Sequence, residues 1–160
     1  FFFSYMDDVQ MLDPVAEWPL RKVFVVQLKA AAARPGTAFG QPVLQLGTWQ
    51  FLQVWIQGVI IWVSADLQHI KVDDGTACMA VAVGFAHPPQ EYHVGEYVLC
   101  IGQYHMADQL VEAAQCKKLG VDQPNAEAAW ALEVMDAQLM LAHKPKDMPG
   151  PPLKVEPMEQ

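Results

Sequence analysis

Val54-Trp55-Ile56-Gln57-Gly58-Val59-Ile60-Ile61-Trp62-Val63 carries no charge, and only Gln57 and Gly58 interrupt its apolar run. A stretch of ten residues is far too short to span a bilayer, and its β-branched and aromatic side chains argue for a strand over a buried helix. It reads as a long central strand. Gly58 lacks the Cβ that would resist a sharp bend or bulge, so this one strand can serve two sheets where a sheet coils into a small barrel.

Downstream, Ala65-Asp66 predicts a turn and Leu67 to Val72 a returning strand, with Ile70 and Val72 on one face. Asp73-Asp74-Gly75-Thr76 signals a hairpin, Gly75 supplying the positive φ that a type I′ turn needs. Ala77 to Val83 is the next strand, with Met79, Val81 and Val83 on one side and Cys78, Ala80 and Ala82 on the other. Small residues on one face suit a tight barrel interior or a close neighbour. Pro88-Pro89 makes Gly84 to His93 a loop. Glu96 to Tyr104 and, after a short loop at Met106 to Asp108, Leu110 to Gln115 complete a set of five strands. The expected fold class is therefore mostly β: a single five-stranded OB-fold barrel with an N-terminal strand extension and a C-terminal α-helix.

Upstream, the extension is Leu20 to Lys29, where Val23, Phe24, Val25, Val26 and Leu28 form an apolar run; Ala30 to Ala33 could carry a helical turn onward before Arg34-Pro35-Gly36 breaks it. Pro42 to Leu46 reads as another short strand. At the other end Asn125 is the N-cap of a helix over Ala126 to Ala142. At 100° per residue, Trp130, Val134, Ala137 and Leu141 form one apolar stripe and Leu132, Met135 and Leu139 an almost opposite one. A helix that ends a small barrel needs one such stripe to cover it. The second predicts a protein partner, with Trp130, Leu132, Val134, Met135, Leu139 and Leu141 as interface candidates. The domain spans residues 19–143, between a loosely attached segment 1–18 and a Pro-rich, disordered tail 144–160.

Composition narrows the function. The 160-residue chain is 52% apolar and carries a formal charge of −8. Between Gln50 and Lys118, three basic residues (Lys71, Lys117, Lys118) face seven acidic ones. Phosphate backbones are bound by cationic side chains that release counterions, so this balance weighs against autonomous nucleic-acid binding, although Trp55, Trp62, Tyr92, Tyr97 and Tyr104 could stack bases. Single-strand binding by the barrel is the alternative reading. Cys78, Cys100 and Cys116 lack CxxC spacing and read as buried reduced thiols of an intracellular protein. Phe1-Phe2-Phe3-Ser4-Tyr5 has neither the basic flank nor the length of a signal peptide. His105 and Asp108 could ligate a metal only with help from elsewhere, and turn chemistry accounts for Asp73 and Asp74. No nucleophile elbow, phosphate loop or zinc spacing occurs, so no catalytic residue, metal or cofactor is expected.

Five short motifs, in order, resemble the RecQ-mediated genome instability protein 2 family: Pro19-Leu20-Arg21-Lys22-Val23 with Gln27-Leu28, Val54-Trp55-Ile56-Gln57-Gly58-Val59, Val72-Asp73-Asp74-Gly75-Thr76, Val94-Gly95-Glu96-Tyr97-Val98-Leu99, and Trp130-Ala131-Leu132-Glu133-Val134. The resemblance implies a non-catalytic nuclear scaffold. Its expected partner is the C-terminal OB domain of RecQ-mediated genome instability protein 1, and C-terminal helices pack together in the heterodimer. That complex works with a RecQ (Bloom-type) helicase and topoisomerase III alpha to dissolve double Holliday junctions. The family also implies docking of a short aromatic-bearing motif from a Fanconi anaemia helicase, through a lysine and a tryptophan that fall on Lys22 and Trp130. A second family lysine falls on Gln115 or Cys116, with Lys117 and Lys118 just beyond.

Overall fold

The structure, a computed structural model, describes residues 20–38, 41–47, 49–120 and 123–142. The expectations for segments 1–18 and 144–160 lie outside these residues. The elements are β1 (Leu20–Lys22), α1 (Val25–Ala30), β2 (Ala32–Ala38), β3 (Gln41–Leu46), β4 (Trp49–Phe51), β5 (Gln53–Val63), β6 (His69–Asp73), β7 (Cys78–Ala82), β8 (Tyr97–His105), β9 (Leu110–Lys118) and α2 (Ala126–Ala142).

Everything is arranged about β5. Its first part, Gln53 to Val59, pairs antiparallel with β8, and its last part, Val59 to Val63, pairs antiparallel with β6. Val59 is the residue shared by both neighbours, and a bulge follows between Ile60 and Trp62. The bend is possible because Gly58 has no side chain: a Cβ there would lie 2.5 Å from the Asp73 carbonyl oxygen and 2.6 Å from Val72 Cγ1. Both separations are well inside van der Waals contact, so the two strands can approach only over a glycine. From β6 the sheet runs through β7 and β9 to β8, and the β5–β8 pairing returns it to its starting strand.

Strand alternation then fills the interior. Val54, Ile56, Ile60, Ile70, Val72, Met79, Val81, Val98, Cys100, Tyr104, Val111 and Cys116 form one buried cluster, joined by Val25 and Leu28 of α1 and by Phe51 of β4. Each fully enclosed aliphatic side chain contributes roughly 1.5–3 kcal/mol relative to an exposed one. On β7 it is the large side, Met79 and Val81, that faces inward, whereas Cys78, Ala80 and Ala82 are only partly buried. The small residues therefore do not line the interior.

The strand count departs from the expected five plus one: among the described residues nine strands form a six-stranded and a three-stranded sheet. Leu20 to Lys29 is not a continuous strand. β1 lies parallel to β5, with Lys22 beside Trp55, and the chain then turns into α1. The reason is long-range, because the first helical N–H groups find acceptors in the β6–β7 turn: Val25 N–H donates to Asp74 Oδ2 (2.7 Å) and Val26 N–H to Thr76 Oγ1 (3.1 Å). Within the helix only the Phe24 N–H finds a side-chain acceptor, Gln27 Oε1 (3.0 Å), so the next two amides are stabilised by acceptors from elsewhere.

The second sheet, β2-β3-β4, contains only one element visible in the pattern, Pro42 to Leu46. The helical turn does not continue to Ala33, because α1 ends at Ala30 and β2 begins at Ala32 and runs through Arg34-Pro35-Gly36. The register jumps from Arg34↔Val43 to Thr37↔Pro42, so Pro35 falls in the irregularity, where its missing N–H costs no ladder bond. The β6–β7 turn also differs from type I′, since Asp73 pairs with Cys78 across four residues, of which only Gly75 has positive φ (+91°). Asp73 Oδ1 accepts the Gly75 N–H, and Asp74 Oδ1 accepts the N–H and hydroxyl of Thr76. The carboxylates thus make a wider turn rigid.

Candidate interaction face under the last helix

Trp55 lies between Val54 and Ile56, which are both fully buried, so strand alternation sends it to the outer face. Residues paired side by side across a sheet share a face. Lys22 pairs with Trp55, Trp55 with Ile101, and Ile101 with Gln115, which makes one transverse row over β1, β5, β8 and β9. At about 4.8 Å per strand the row spans ~14 Å.

Helix α2 roofs one end of this row, packing on β1 and β5. The Trp130 ring stacks on Trp55 with centroids 6.4 Å apart and planes inclined by 24°. Lys22 Nζ sits 4.4 Å from the Trp55 ring centroid and 3.3 Å from Glu133 Oε1, held between a ring face and a carboxylate. Trp55 Nε1–H donates to Gln57 Oε1 (3.0 Å), and Gln57 Nε2–H donates to the Tyr97 hydroxyl (3.2 Å), which satisfies the one buried polar residue here. Gln27 and Gln138 exchange amide hydrogen bonds of 3.0 and 2.8 Å, fastening α2 to α1. Trp130 Nε1 is buried and has no hydrogen-bond partner among the described residues. Burial pushes the Tyr97 hydroxyl pKa up, and the carboxylates of Glu127, Glu133 and Asp74 add to that, against the Gln57 hydrogen bond.

The helix divides as its 100° geometry dictates. Trp130 (3% exposed) and Val134 (0%) face the chain's own sheet, whereas Leu132 (66%) and Met135 (46%) lie open, with Leu139 and Met140 also exposed. Val134, expected among the partner-facing residues, is sealed against its own sheet. Trp130 is nearly so. Leu141 lies in the last helical turn, and its side chain is outside the description. Gln115 is exposed on the same face as Lys22 but at the far end of the row, so those two residues are not in contact. Lys117 pairs with Leu99 and shares that face; Lys118 instead pairs with Glu96 (3.1 Å) and lies 5.9 Å from the Tyr92 ring.

Sequence reading missed Trp55, Gln27, Glu133 and Gln138 as parts of this face. A signal was available for Trp55: Gln57, two residues on and therefore on the same side, marks that side as not wholly core. The glutamine pair and Glu133 depend on helix docking and leave no local trace. Elsewhere, His105 Nε2 meets Glu112 Oε1 at 2.8 Å, so its partner is not Asp108. No helix among the described residues is long and apolar enough to cross a membrane.

No curated protein matches the sequence. Among solved structures the chain is similar to one in the S. pombe Stn1-ten1 complex, at 14% identity over 76% of this chain and 92% of that one, with a TM-score of 0.61. It is also similar to a chain of a replication protein A heterotrimer bound to ssDNA, at 20% identity over 76% of this chain and 97% of that one, with a TM-score of 0.58. A chain of yeast replication protein A bound to ssDNA gives 20% identity, coverage of 74% and 89%, and a TM-score of 0.55. At these identities the likeness speaks to the fold, which is mostly β with OB-like neighbours. The sequence profile of RecQ-mediated genome instability protein 2 matches residues 19–138, spanning every element from β1 into α2, and the chain therefore belongs to the RecQ-mediated genome instability protein 2 family.

Proposed function

We propose that this chain is a non-catalytic nuclear scaffold subunit that pairs, through its OB-type sheet and α2, with the C-terminal OB domain of RecQ-mediated genome instability protein 1. The heterodimer supports RecQ helicase and topoisomerase III in dissolving recombination intermediates. The observation that carries this reading is the exposure of Leu132 and Met135 on a helix whose opposite stripe, Trp130 and Val134, is already seated. Apolar side chains left open on a docked helix gain roughly 25 cal/mol for each Å² that a partner removes from water. The acidic balance, seven carboxylates against three lysines over Gln50 to Lys118, favours a protein partner over a phosphate backbone. In the same proposal, a short aromatic-bearing motif of a Fanconi anaemia helicase docks along the row from Lys22 to Gln115, with Trp130 holding Trp55 in place.

Titration calorimetry with the partner OB domain tests the reading. A stoichiometric complex is expected, weakened by about 2–4 kcal/mol in Leu132→Asp or Met135→Asp, because a carboxylate desolvated at the interface has no counter-charge. A chain that ignores the partner, or one that binds labelled oligothymidine at micromolar affinity with a steep salt dependence, would overturn it.

A further inference from the structure

Cys100 of β8 and Cys116 of β9 are directly paired across the antiparallel ladder, both fully buried, with sulfurs 3.5 Å apart. The ladder chemistry at this pair is specific. The Cys116 N–H donates to the His87 carbonyl (3.0 Å), and its own carbonyl accepts from Gln90 Nε2 (2.7 Å). Both backbone groups of Cys116 are therefore turned away from β8, which makes Cys100–Cys116 a non-hydrogen-bonded pair. In such pairs the Cα atoms approach to about 4.5 Å, and disulfides bridge Cα separations of about 4.4–6.8 Å. The strands need no rearrangement to be joined; the sulfurs need only close to about 2.05 Å by side-chain rotation.

We propose that Cys100 and Cys116 are a redox-active dithiol that closes to a cross-strand disulfide when the protein meets a peroxide-class oxidant. The two sulfurs share a hydrogen bond in which either can donate, and that contact, with the neighbouring Tyr92 hydroxyl and the Lys118 charge, holds the Cys116 pKa below the ordinary thiol value although burial opposes this. The thiolate of one member of the pair attacks one oxygen of hydrogen peroxide, breaking the O–O bond; that sulfur becomes a sulfenic acid, and the other oxygen leaves as water after taking up a proton. The other sulfur then attacks the sulfenic sulfur and expels the second water. Two thiols are oxidised by two electrons, and one peroxide is reduced to two waters. The bond would staple β8 to β9 directly beside the outward pair Ile101–Gln115. Cys78, partly exposed on β7, takes no part.

The full chain is treated with hydrogen peroxide, alkylated under denaturing conditions and mapped by mass spectrometry. The expected result is an intact mass lower by two hydrogens and a linked peptide pair joining Cys100 to Cys116. Dithiothreitol restores both thiols, and the thermal midpoint rises on oxidation and falls back on reduction. The linkage persists in Cys78→Ser and is lost in Cys100→Ser and Cys116→Ser. If either of those serine variants fails to fold, the peptide map of the unsubstituted chain decides alone. Recovery of Cys100 and Cys116 as two alkylated thiols, a linkage through Cys78, or sulfinic acid accumulating on one cysteine would overturn the proposal.

Discussion

Trp130 shows how one side chain can be both anchor and weak point. It is buried against Trp55, yet its indole N–H lacks a partner among the described residues. Removing the ring should cost about 3–5 kcal/mol, as for other buried large aromatics. Trp130→Phe should cost much less, since it also deletes an unsatisfied donor worth roughly 1–3 kcal/mol when buried; urea denaturation of both variants measures the difference. Gly58 has the opposite constraint, no room at all. Gly58→Ala pushes a methyl into the Asp73 carbonyl and Val72, so a loss of about 1–3 kcal/mol is expected by the same measurement. Glu96 adds a pH dependence. Burial raises its pKa, but the His93 N–H (2.7 Å) and Lys118 (3.1 Å) outweigh that and hold the carboxyl below its ordinary value. A depressed folded-state pKa means that its contribution is complete above the ordinary glutamate value and is lost as the pH falls below it toward the folded value. Thermal midpoints followed down through that range should fall less steeply in Glu96→Gln.

At the scale of elements, α1 is a helix by loan. Phe24, at its N-cap position, has no side-chain oxygen, and the first two amides are accepted by Asp74 and Thr76, about fifty positions on. Asp74→Ala removes a helix cap and the closure of its own turn together, so a loss of about 1–2 kcal/mol is expected, with α1 becoming the first segment to exchange its amide hydrogens. Hydrogen-exchange mass spectrometry on residues 25–30 reads this directly. Thr76→Val should have a smaller effect of the same kind. The residues of Leu20 to Lys29 suited a strand on local grounds, because β-branched residues at Val23, Val25 and Val26 favour extended backbone. The helix wins there because its capping acceptors arrive only when the β6–β7 turn has formed. The α2 helix, by contrast, was legible, since its period and its N-terminal punctuation are both local.

For the whole molecule, the balance between self-burial and association rests on the two sides of α2. Leu132→Asp and Met135→Asp should leave the stability of the isolated chain within about 0.5 kcal/mol, because both positions are exposed. Their effect belongs to complex formation, read by calorimetry against the partner domain. Lys22→Ala separates the proposed peptide-docking row from the heterodimer surface. Its part-exposed ion pair with Glu133 and its contact with the Trp55 ring are each worth about 1 kcal/mol at most, so folding should weaken by no more than about 2 kcal/mol while binding of a short aromatic-bearing peptide declines.

Local pattern alone specified the central strand with its glycine, the four strands that follow it, the terminal helix with its two apolar sides, and the acidic balance that disfavours a phosphate-binding groove. These features depend on alternation, period and charge, which any short window of residues displays. Folding had to add the contacts made between distant segments. It decided that Leu20 to Lys29 splits into β1 and α1, that Pro35 sits in a bulge of a second sheet, and that the large side of β7 faces inward. It also decided that Lys22, Trp55 and Trp130 meet under one helix, and that Cys100 faces Cys116. Each of these turns on a partner far along the chain, a capping carboxylate, a paired strand or a stacked ring, and no local preference encodes which distant partner will be there.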